Sequence, residues 1–454
     1  MSERVVVIGG DAAGMSAASQ ALRTAKANGR SFDVVALERG RWTSYSACGI
    51  PYWVAGTVDG PAALVARTPD EHRANGIDVR MQTEAVDVDM DRRMVDYRDR
   101  STGQTGALPF DQLVIATGAE PIRPDVPGAD ATGIHGVQTL EDGTALLDRL
   151  MANDPKRAVI VGGGYIGIEM AEAMVVRGLD VTVIDKAPEP MTTLDHDLGR
   201  QVHKAMEAMG ITVETDTPIE AFENDGGEVQ AVVAGGRAYP ADIIVLGIGV
   251  RPATSLAEHA GLVLGEHRGL RVDERMRVAG ADGVWAAGDC VESFDRIART
   301  FVHVPLGTHA NKQGRVLGTN LGGGDATFPG VVRTAISKVC DLEVARTGLG
   351  EEDARRAGFE FLTATAESTT KSGYFPGTEP LTIKLLALRP DGRLLGAQIV
   401  GRTGSAKRID VLALALWQQM TVADLAMVDL SYAPPFSPVW DPVLVAARKA
   451  AEKL

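Results

Sequence analysis

Continuous apolar runs, rather than alternating ones, punctuate this chain, and several end at glycine or at an acidic residue. Residues 4–9 carry Val5-Val6-Val7-Ile8 and then meet glycine, the pattern of a parallel strand buried on both faces. A helix follows from about Ala12 to Ala27, and the next strand, Asp33 to Leu37, ends at Glu38. Together they predict a βαβ unit. The stretch from Met81 to Val95 reads as strands around a turn at Asp91-Arg92. A further apolar strand, Leu113-Val114-Ile115-Ala116, runs into Thr117-Gly118.

The pattern then restarts. Ala158-Val159-Ile160-Val161 leads into Gly162-Gly163-Gly164, a helix runs to about Arg177, and Val181-Thr182-Val183-Ile184 ends at Asp185. Ile243-Ile244-Val245-Leu246 ends in Gly247, and Gly283-Val284-Trp285-Ala286-Ala287-Gly288-Asp289 closes another strand. One unit set between parts of the other predicts a discontinuous first domain, 1–120 with 248–322, around a second domain, 121–247. Composition shifts after Gly322-Gly323-Gly324. From 325 to 454, strands (Leu381 to Leu388, Leu394 to Val400) alternate with helices (Ile409 to Gln419, Val443 to Glu452), which predicts a separate α+β domain. The fold class is therefore α/β, with two Rossmann-like dinucleotide-binding domains followed by an α+β domain.

Composition narrows the partners. Hydrophobic residues make up 45% and charged residues 23% of the 454, the profile of a globular protein. The net charge of −14 argues against nucleic acid or an anionic membrane as partner. The start of the chain runs straight into the first strand with no separate signal-peptide core, and no apolar run is long enough to span a bilayer. Cys48, Cys290 and Cys340 are far apart, with neither a disulfide framework nor a zinc spacing, so no metal is expected and a reducing, cytoplasmic setting fits.

The loop Gly162-Gly163-Gly164-Tyr165-Ile166-Gly167 is a full G-x-G-x-x-G between strand and helix. Its glycines allow a tight turn and bring a pyrophosphate to the helix N-terminus. Asp185, at the end of the next strand, suits a ribose 2′-hydroxyl and repels a 2′-phosphate, which favours NADH; the adjacent Lys186 leaves room for NADPH. The first loop, Gly9-Gly10-Asp11-Ala12-Ala13-Gly14, departs from the motif because Asp11 stands at the middle glycine. The remaining glycines and Ala13 still let a phosphate approach, and Glu38 is the matching ribose carboxylate. Gly288-Asp289 either aims a carboxylate at a ribityl hydroxyl or is an ordinary turn.

Cys48 lies in Ser44-Tyr45-Ser46-Ala47-Cys48-Gly49-Ile50-Pro51-Tyr52, with no second cysteine nearby. Gly49 and Pro51 suit a bend at a helix start, where a thiolate is stabilised, so a lowered thiol pKa is expected. Two dinucleotide sites and a lone thiol point to electrons moving from a nicotinamide through a flavin to sulfur, with the sulfur partner coming from outside the chain.

These motifs, in this order, resemble the pyridine nucleotide–disulfide oxidoreductase superfamily over nearly the whole chain. The match rests on Gly9 to Ala18, Cys48-Gly49-Ile50-Pro51-Tyr52, Ala116-Thr117-Gly118, the 162–167 loop, Gly249-Val250-Arg251-Pro252, Ala287-Gly288-Asp289, Ala310-Asn311-Lys312-Gln313-Gly314-Arg315 and Tyr432-Ala433-Pro434-Pro435-Phe436-Ser437. Within it, the chain is similar to the single-cysteine branch of coenzyme A–disulfide reductases, NADH oxidases and persulfide reductases. The resemblance implies FAD on Gly9, Gly10, Ala13, Gly14, Glu38 and Arg39, with Ala85, Thr117, Gly118, Gly288, Asp289, Pro305, Leu306 and Thr308 closing around it. It implies NADH on Gly162, Gly164, Tyr165, Ile166, Gly167 and Asp185, with Gly249. By family position, Ser16, Gln20, Arg23, Ser44, Tyr45, His309, Asn311 and Lys312 are candidates for binding coenzyme A, although Arg23 and Lys312 also suit a solvated helix face. A homodimer built by the C-terminal domain is implied, with Tyr432 and Tyr374 reaching the partner's site or serving as interface tyrosines.

Three departures qualify the match. Positions 49–53 hold no second cysteine, which excludes an internal redox disulfide. Ala12 replaces a histidine found in peroxidase and water-forming oxidase relatives, and Ala47 replaces an asparagine common before the cysteine. The leading expectation is an NADH-dependent flavoprotein that reduces the disulfide or persulfide of coenzyme A or a related small thiol through a mixed disulfide on Cys48. The alternatives are an NADH oxidase forming hydrogen peroxide and a flavin-containing redox sensor in which Cys48 is oxidised.

Overall fold

The computed structural model describes residues 2–152 and 154–454. Two five-stranded, wholly parallel sheets form its first two layers of organisation. In the first, the strands run in the order Val284–Ala286, Gln112–Ile115, Glu3–Ile8, Phe32–Leu37, Ile77–Arg80. In the second, the order is Thr212–Glu214, Asp180–Ile184, Arg157–Val161, Ile243–Leu246, Ile134–His135. The edge strand Val284–Ala286 joins the first sheet after the chain has completed the second, so the first sheet is assembled from two separated stretches of the chain. The apolar runs are continuous because both faces are covered: Val5, Val6, Val7, Leu113 and Val114 lie wholly inside one core, and Ile160, Ile243 and Val245 inside the next.

The first helix is Ala12–Ala27, as expected, and its small buried residues Ala13, Ala17, Ala18 and Ala21 let another helix lie close. That second helix, Gly307–Leu321, presents glycines to the seam. A Cβ at Gly314 would stand 3.0 Å from the Ser16 Cβ, and one at Gly318 would stand 2.8 Å from the Gln20 Cβ. The pair positions Ser16 against Asn311, whose Oδ1 accepts the serine hydroxyl at 2.8 Å. Sequence reading did not delineate Gly307–Leu321, because its glycines read as breakers when they are packing devices. It also passed over the helices Leu140–Ala152 and His196–Ala208 and a three-stranded antiparallel sheet of residues 219–240.

The C-terminal α+β unit is an antiparallel sheet in the order Ala335–Val339, Leu342–Gly348, Leu394–Gly401, Pro380–Leu388, Phe361–Thr369, packed against Ile409–Trp417 and Pro442–Ala451. A buried cation joins it to the second unit. Lys384 is only 4% exposed, and its Nζ lies 3.0 Å from Asp195, 2.8 Å from Asp197 and 2.6 Å from Glu351. An ammonium so placed is stable only with its carboxylates, so the contact fixes how the two units meet.

Candidate active site

Cys48 sits in a single 3-10 turn, Ala47–Gly49, that runs directly into the short helix Ile50–Ala55. The thiol is exposed. A Cβ at Gly49 would meet the end of the Leu64 side chain, which would have to shift to admit it. The segment is pinned by the Ser46 N–H donating to Leu64 O at 2.9 Å and the Ala66 N–H donating to Ser44 O at 2.7 Å. Ser44 holds a left-handed backbone, φ +51°, and its hydroxyl bonds Nε2 of the buried His72 at 2.9 Å.

The expected lowering of the thiol pKa is corrected by the structure. Burial pushes the Cys48 thiol up, the Glu169 charge adds to this, and Asp289 adds a smaller push; only the local backbone N–H opposes them. A helix dipole is worth about 0.3–1 kcal/mol, under one pKa unit, so a six-residue helix does not outweigh desolvation and two carboxylates.

The glycine loops have parallel construction. Gly9 and Gly162 adopt φ +107° and +101°. A Cβ on either would strike a backbone carbonyl, that of Ala116 or Gly247, and one on Gly14 or Gly167 would strike the carbonyl of Gly9 or Gly162. Glu38 accepts the Gly10 N–H at 2.8 Å and the Gly40 N–H at 2.6 Å; burial pushes its carboxyl up against those two bonds. Asp185 accepts the Gly163 N–H and, at 2.8 Å, the Ala187 N–H. Gly164 and Ile166 stay with the loop and the first helical turn, and Tyr165 is anchored by Thr193 Oγ1 donating to its hydroxyl at 3.3 Å. Gly249, φ +96°, lies beyond the strand end at Leu246.

Several other candidates converge on the first loop. A Cβ at Gly288 would stand 2.8 Å from the Ala13 side chain. Burial pushes Asp289 up to about 6. Asp11 accepts the Tyr45 N–H at 3.2 Å, tying the loop to the cysteine segment. The Tyr45 phenol is pushed up by burial and then by Asp11 and Glu38. Thr117 donates its hydroxyl to Ala253 O at 2.6 Å, and Gly118 turns with φ +71°. Ala85 is half-buried on the strand Thr83–Asp89, whose Thr83 N–H donates to Glu38 O at 2.8 Å. Pro305, Leu306 and Thr308 bracket the start of the Gly307–Leu321 helix, and Arg39 is exposed.

The coenzyme A candidates divide. Arg23, Asn311 and Lys312 are exposed, Arg23 donating to Gln20 at 3.0 Å. Burial pushes His309 down, and its Nδ1 makes no hydrogen bond among the described residues. Tyr374 and Tyr432 are not brought to Cys48 within the chain. They occupy one surface of the C-terminal unit, 77% and 47% exposed, joined by the Ser372 N–H donating to Pro434 O at 3.1 Å.

Sequence reading missed three supporting groups. Gln313 is buried; its Oε1 accepts the Gly288 N–H at 2.9 Å and its Nε2 donates to Ser293 Oγ at 2.9 Å, holding the Gly288-Asp289 turn. Its place in the 310–315 motif was the available signal. Glu169, one turn after Tyr165 on the second glycine-loop helix, accepts the Ser337 hydroxyl at 2.7 Å and is pushed up by burial. His72 had no signal, since its distance in sequence hides its contact with Ser44.

Two parallel nucleotide-binding sheets, a lone exposed thiol and an α+β C-terminal unit define a class, the two-dinucleotide oxidoreductases. The pyridine nucleotide-disulphide oxidoreductase model matches residues 3–314, and that family's dimerisation domain matches residues 334–442. The chain belongs to the pyridine nucleotide–disulphide oxidoreductase family, and it is an NAD(P)H-dependent flavoprotein reductase of that kind. It is 35% identical over 453 residues to an NADH oxidase of Methanocaldococcus jannaschii, covering 99% of each chain. It is 36% identical over 451 residues to a CoA-dependent NAD(P)H sulfur oxidoreductase of Pyrococcus furiosus, covering 98% of each. The structure of an NAD-dependent persulfide reductase from A. fulgidus superposes with a TM-score of 0.94 at 38% identity, over 99% of this chain and 83% of that one.

The residues present fit FAD. Backbone carbonyls forbid side chains at Gly9 and Gly14, Gly288 combines φ +89° with close approach to the Ala13 side chain, and Asp289 makes no carboxyl hydrogen bond or ion pair among the described residues.

Proposed function

We propose that this chain binds FAD on its first loop and NADH on its second, and reduces the disulfide or persulfide of coenzyme A or a related small thiol through Cys48. The observation that carries this reading is where Cys48 stands: an exposed thiol that feels both Asp289, beside the first loop, and Glu169, on the helix of the second. The names of relatives that act on CoA-dependent sulfur or persulfide support the substrate class. Bound FAD supplies the relay for two electrons from NADH to sulfur.

The chain's own residues do the rest. Cys48 Sγ attacks one sulfur of the substrate disulfide; the S–S bond breaks, a mixed disulfide forms, and the second thiolate leaves with a proton. Two electrons and two protons, from NADH and solvent, then cleave the mixed disulfide, releasing the second small thiol and restoring the Cys48 thiol. Asp185 retains acceptor capacity for a ribose hydroxyl and disfavours a 2′-phosphate, so NADH is preferred. Ser16 and Asn311, with Arg23 and Lys312 nearby on their helices, offer polar and cationic groups to the thiol's phosphates. The match to the dimerisation domain and the exposed Tyr374, Phe436 and Trp440 support a homodimer in which Tyr432 and Tyr374 approach the other protomer's thiol and protonate the leaving sulfur. Three free cysteines suit a reducing cytoplasm.

Cys48→Ser should retain FAD and its bleaching by NADH yet lose turnover of coenzyme A disulfide to below about 1%. Turnover surviving in this variant would falsify the role of the thiol. A second reading, oxygen reduction to hydrogen peroxide, is favoured by the M. jannaschii relative's name. NADH consumption with coenzyme A disulfide under strictly anaerobic conditions selects the first reading; its absence selects the second.

A further inference from the structure

The first nucleotide loop carries a carboxylate where the motif has its middle glycine, and nothing in the proposed chemistry uses it. Asp11 is half-buried at the start of the sixteen-residue helix Ala12–Ala27, in extended backbone with φ −120°. It makes no side-chain cap to that helix; its Oδ1 instead accepts the Tyr45 N–H at 3.2 Å. The loop's neighbours bring two more acids to it: Glu38, which accepts the N–H of the adjacent Gly10 at 2.8 Å, and Asp289, which follows Gly288, where a Cβ would stand 2.8 Å from the Ala13 Cβ; the Tyr45 phenol faces it as well. Arg39 reaches Glu38 but is exposed, and none of these three carboxylates has an ion-pair partner among the described residues. A dinucleotide's pyrophosphate is received at this helix N-terminus, so its binding adds negative charge where three acids already converge.

Resting on FAD occupying this loop, we propose that Asp11 is held as the neutral acid when FAD is bound, so that flavin binding takes up one proton from solvent and releases it on departure. Burial already pushes Asp11 up to about 6, with Glu38 and Asp289 adding to the shift against the hydrogen bond from the Tyr45 N–H. A nearby anion pushes it further. The sign follows: affinity is fully present at or below the free protein's value and is lost as pH rises above it, with the dissociation constant climbing up to about tenfold per pH unit.

The test is FAD binding to apoprotein, read by flavin fluorescence from pH 6 to 8.5. Wild type should weaken by roughly tenfold per unit above about pH 6.5, and calorimetry at pH 8 in buffers of different ionisation enthalpy should report uptake of about one proton. Asp11→Asn and Asp11→Gly should bind FAD with a nearly flat profile, more tightly than wild type at pH 8.5. The glycine variant guards against a folding defect in the asparagine one, and circular dichroism checks both. FAD bound by wild type with a flat profile, or Asp11 variants that keep the slope, would each overturn the assignment. Wild type that takes up no FAD at any pH overturns this inference and the proposed cofactor together.

Discussion

In the first nucleotide unit Glu38 accepts the Gly10 N–H at 2.8 Å and the N–H of Gly40, two residues beyond itself. In the second, Asp185 accepts the Gly163 N–H and the N–H of Ala187, likewise two residues on. In both, the first glycine lies under a strand-end carbonyl and the last glycine lies under the first glycine's carbonyl. They part at the middle position. Gly164 and Asp11 both sit in extended backbone with negative φ, and a Cβ at Gly164 would meet only Gly247 O, at 3.7 Å. Glycine at this position is thus not demanded by backbone conformation. One loop keeps the space empty and the other fills it with an acid, which teaches that the scaffold is fixed by close backbone contacts while the charge presented to the ligand is free to vary.

The comparison breaks first at the shared positions. Gly9→Ala and Gly162→Ala each combine left-handed strain with a clash against backbone, so each should cost about 2–4 kcal/mol in urea unfolding and strip its own nucleotide. A wild-type unfolding midpoint in either variant would show that the loop relaxes and that the contact is not the constraint. A gentler change sharpens the contrast: Gly164→Asp should fold normally, weaken NADH by roughly tenfold at pH 8, and make its binding favour low pH. Unaltered NADH affinity there would mean that a carboxylate at this position does not reach the phosphates. The smallest effect lies where the units meet. Glu169→Gln removes a charge that raises the Cys48 thiol, so the thiolate fraction at pH 7.5 rises and alkylation by iodoacetamide should quicken about two- to fivefold, with the alkylation profile moving to lower pH. An unmoved profile would leave burial and Asp289 as the causes of the raised thiol.

The central parallel strands were legible because they are buried on both faces, and Val5-Val6-Val7 and Ile243-Ile244-Val245 announce themselves; the short edge strands Ile77–Arg80, Ile134–His135 and Thr212–Glu214, which carry polar residues, did not. The glycine loops, Glu38, Asp185 and Cys48 were legible for a similar reason, since a tight turn or a reactive sulfur admits few residue types. The Gly307–Leu321 helix was not, because Gly314 and Gly318 signal a break locally and a close helix contact only in three dimensions. Nor was the bolt at Lys384, whose carboxylates come from two distant segments.

Local chemistry thus marked the glycine turns, the carboxylates at their strand ends and the cysteine turn: short-range sterics and burial are written residue by residue. The state of the thiol was decided by folding. Its sign depends on a sum of desolvation and charges from positions 169 and 289, which neighbour Cys48 only once the two sheets are packed, and electrostatic energy depends on distance in space, not along the chain.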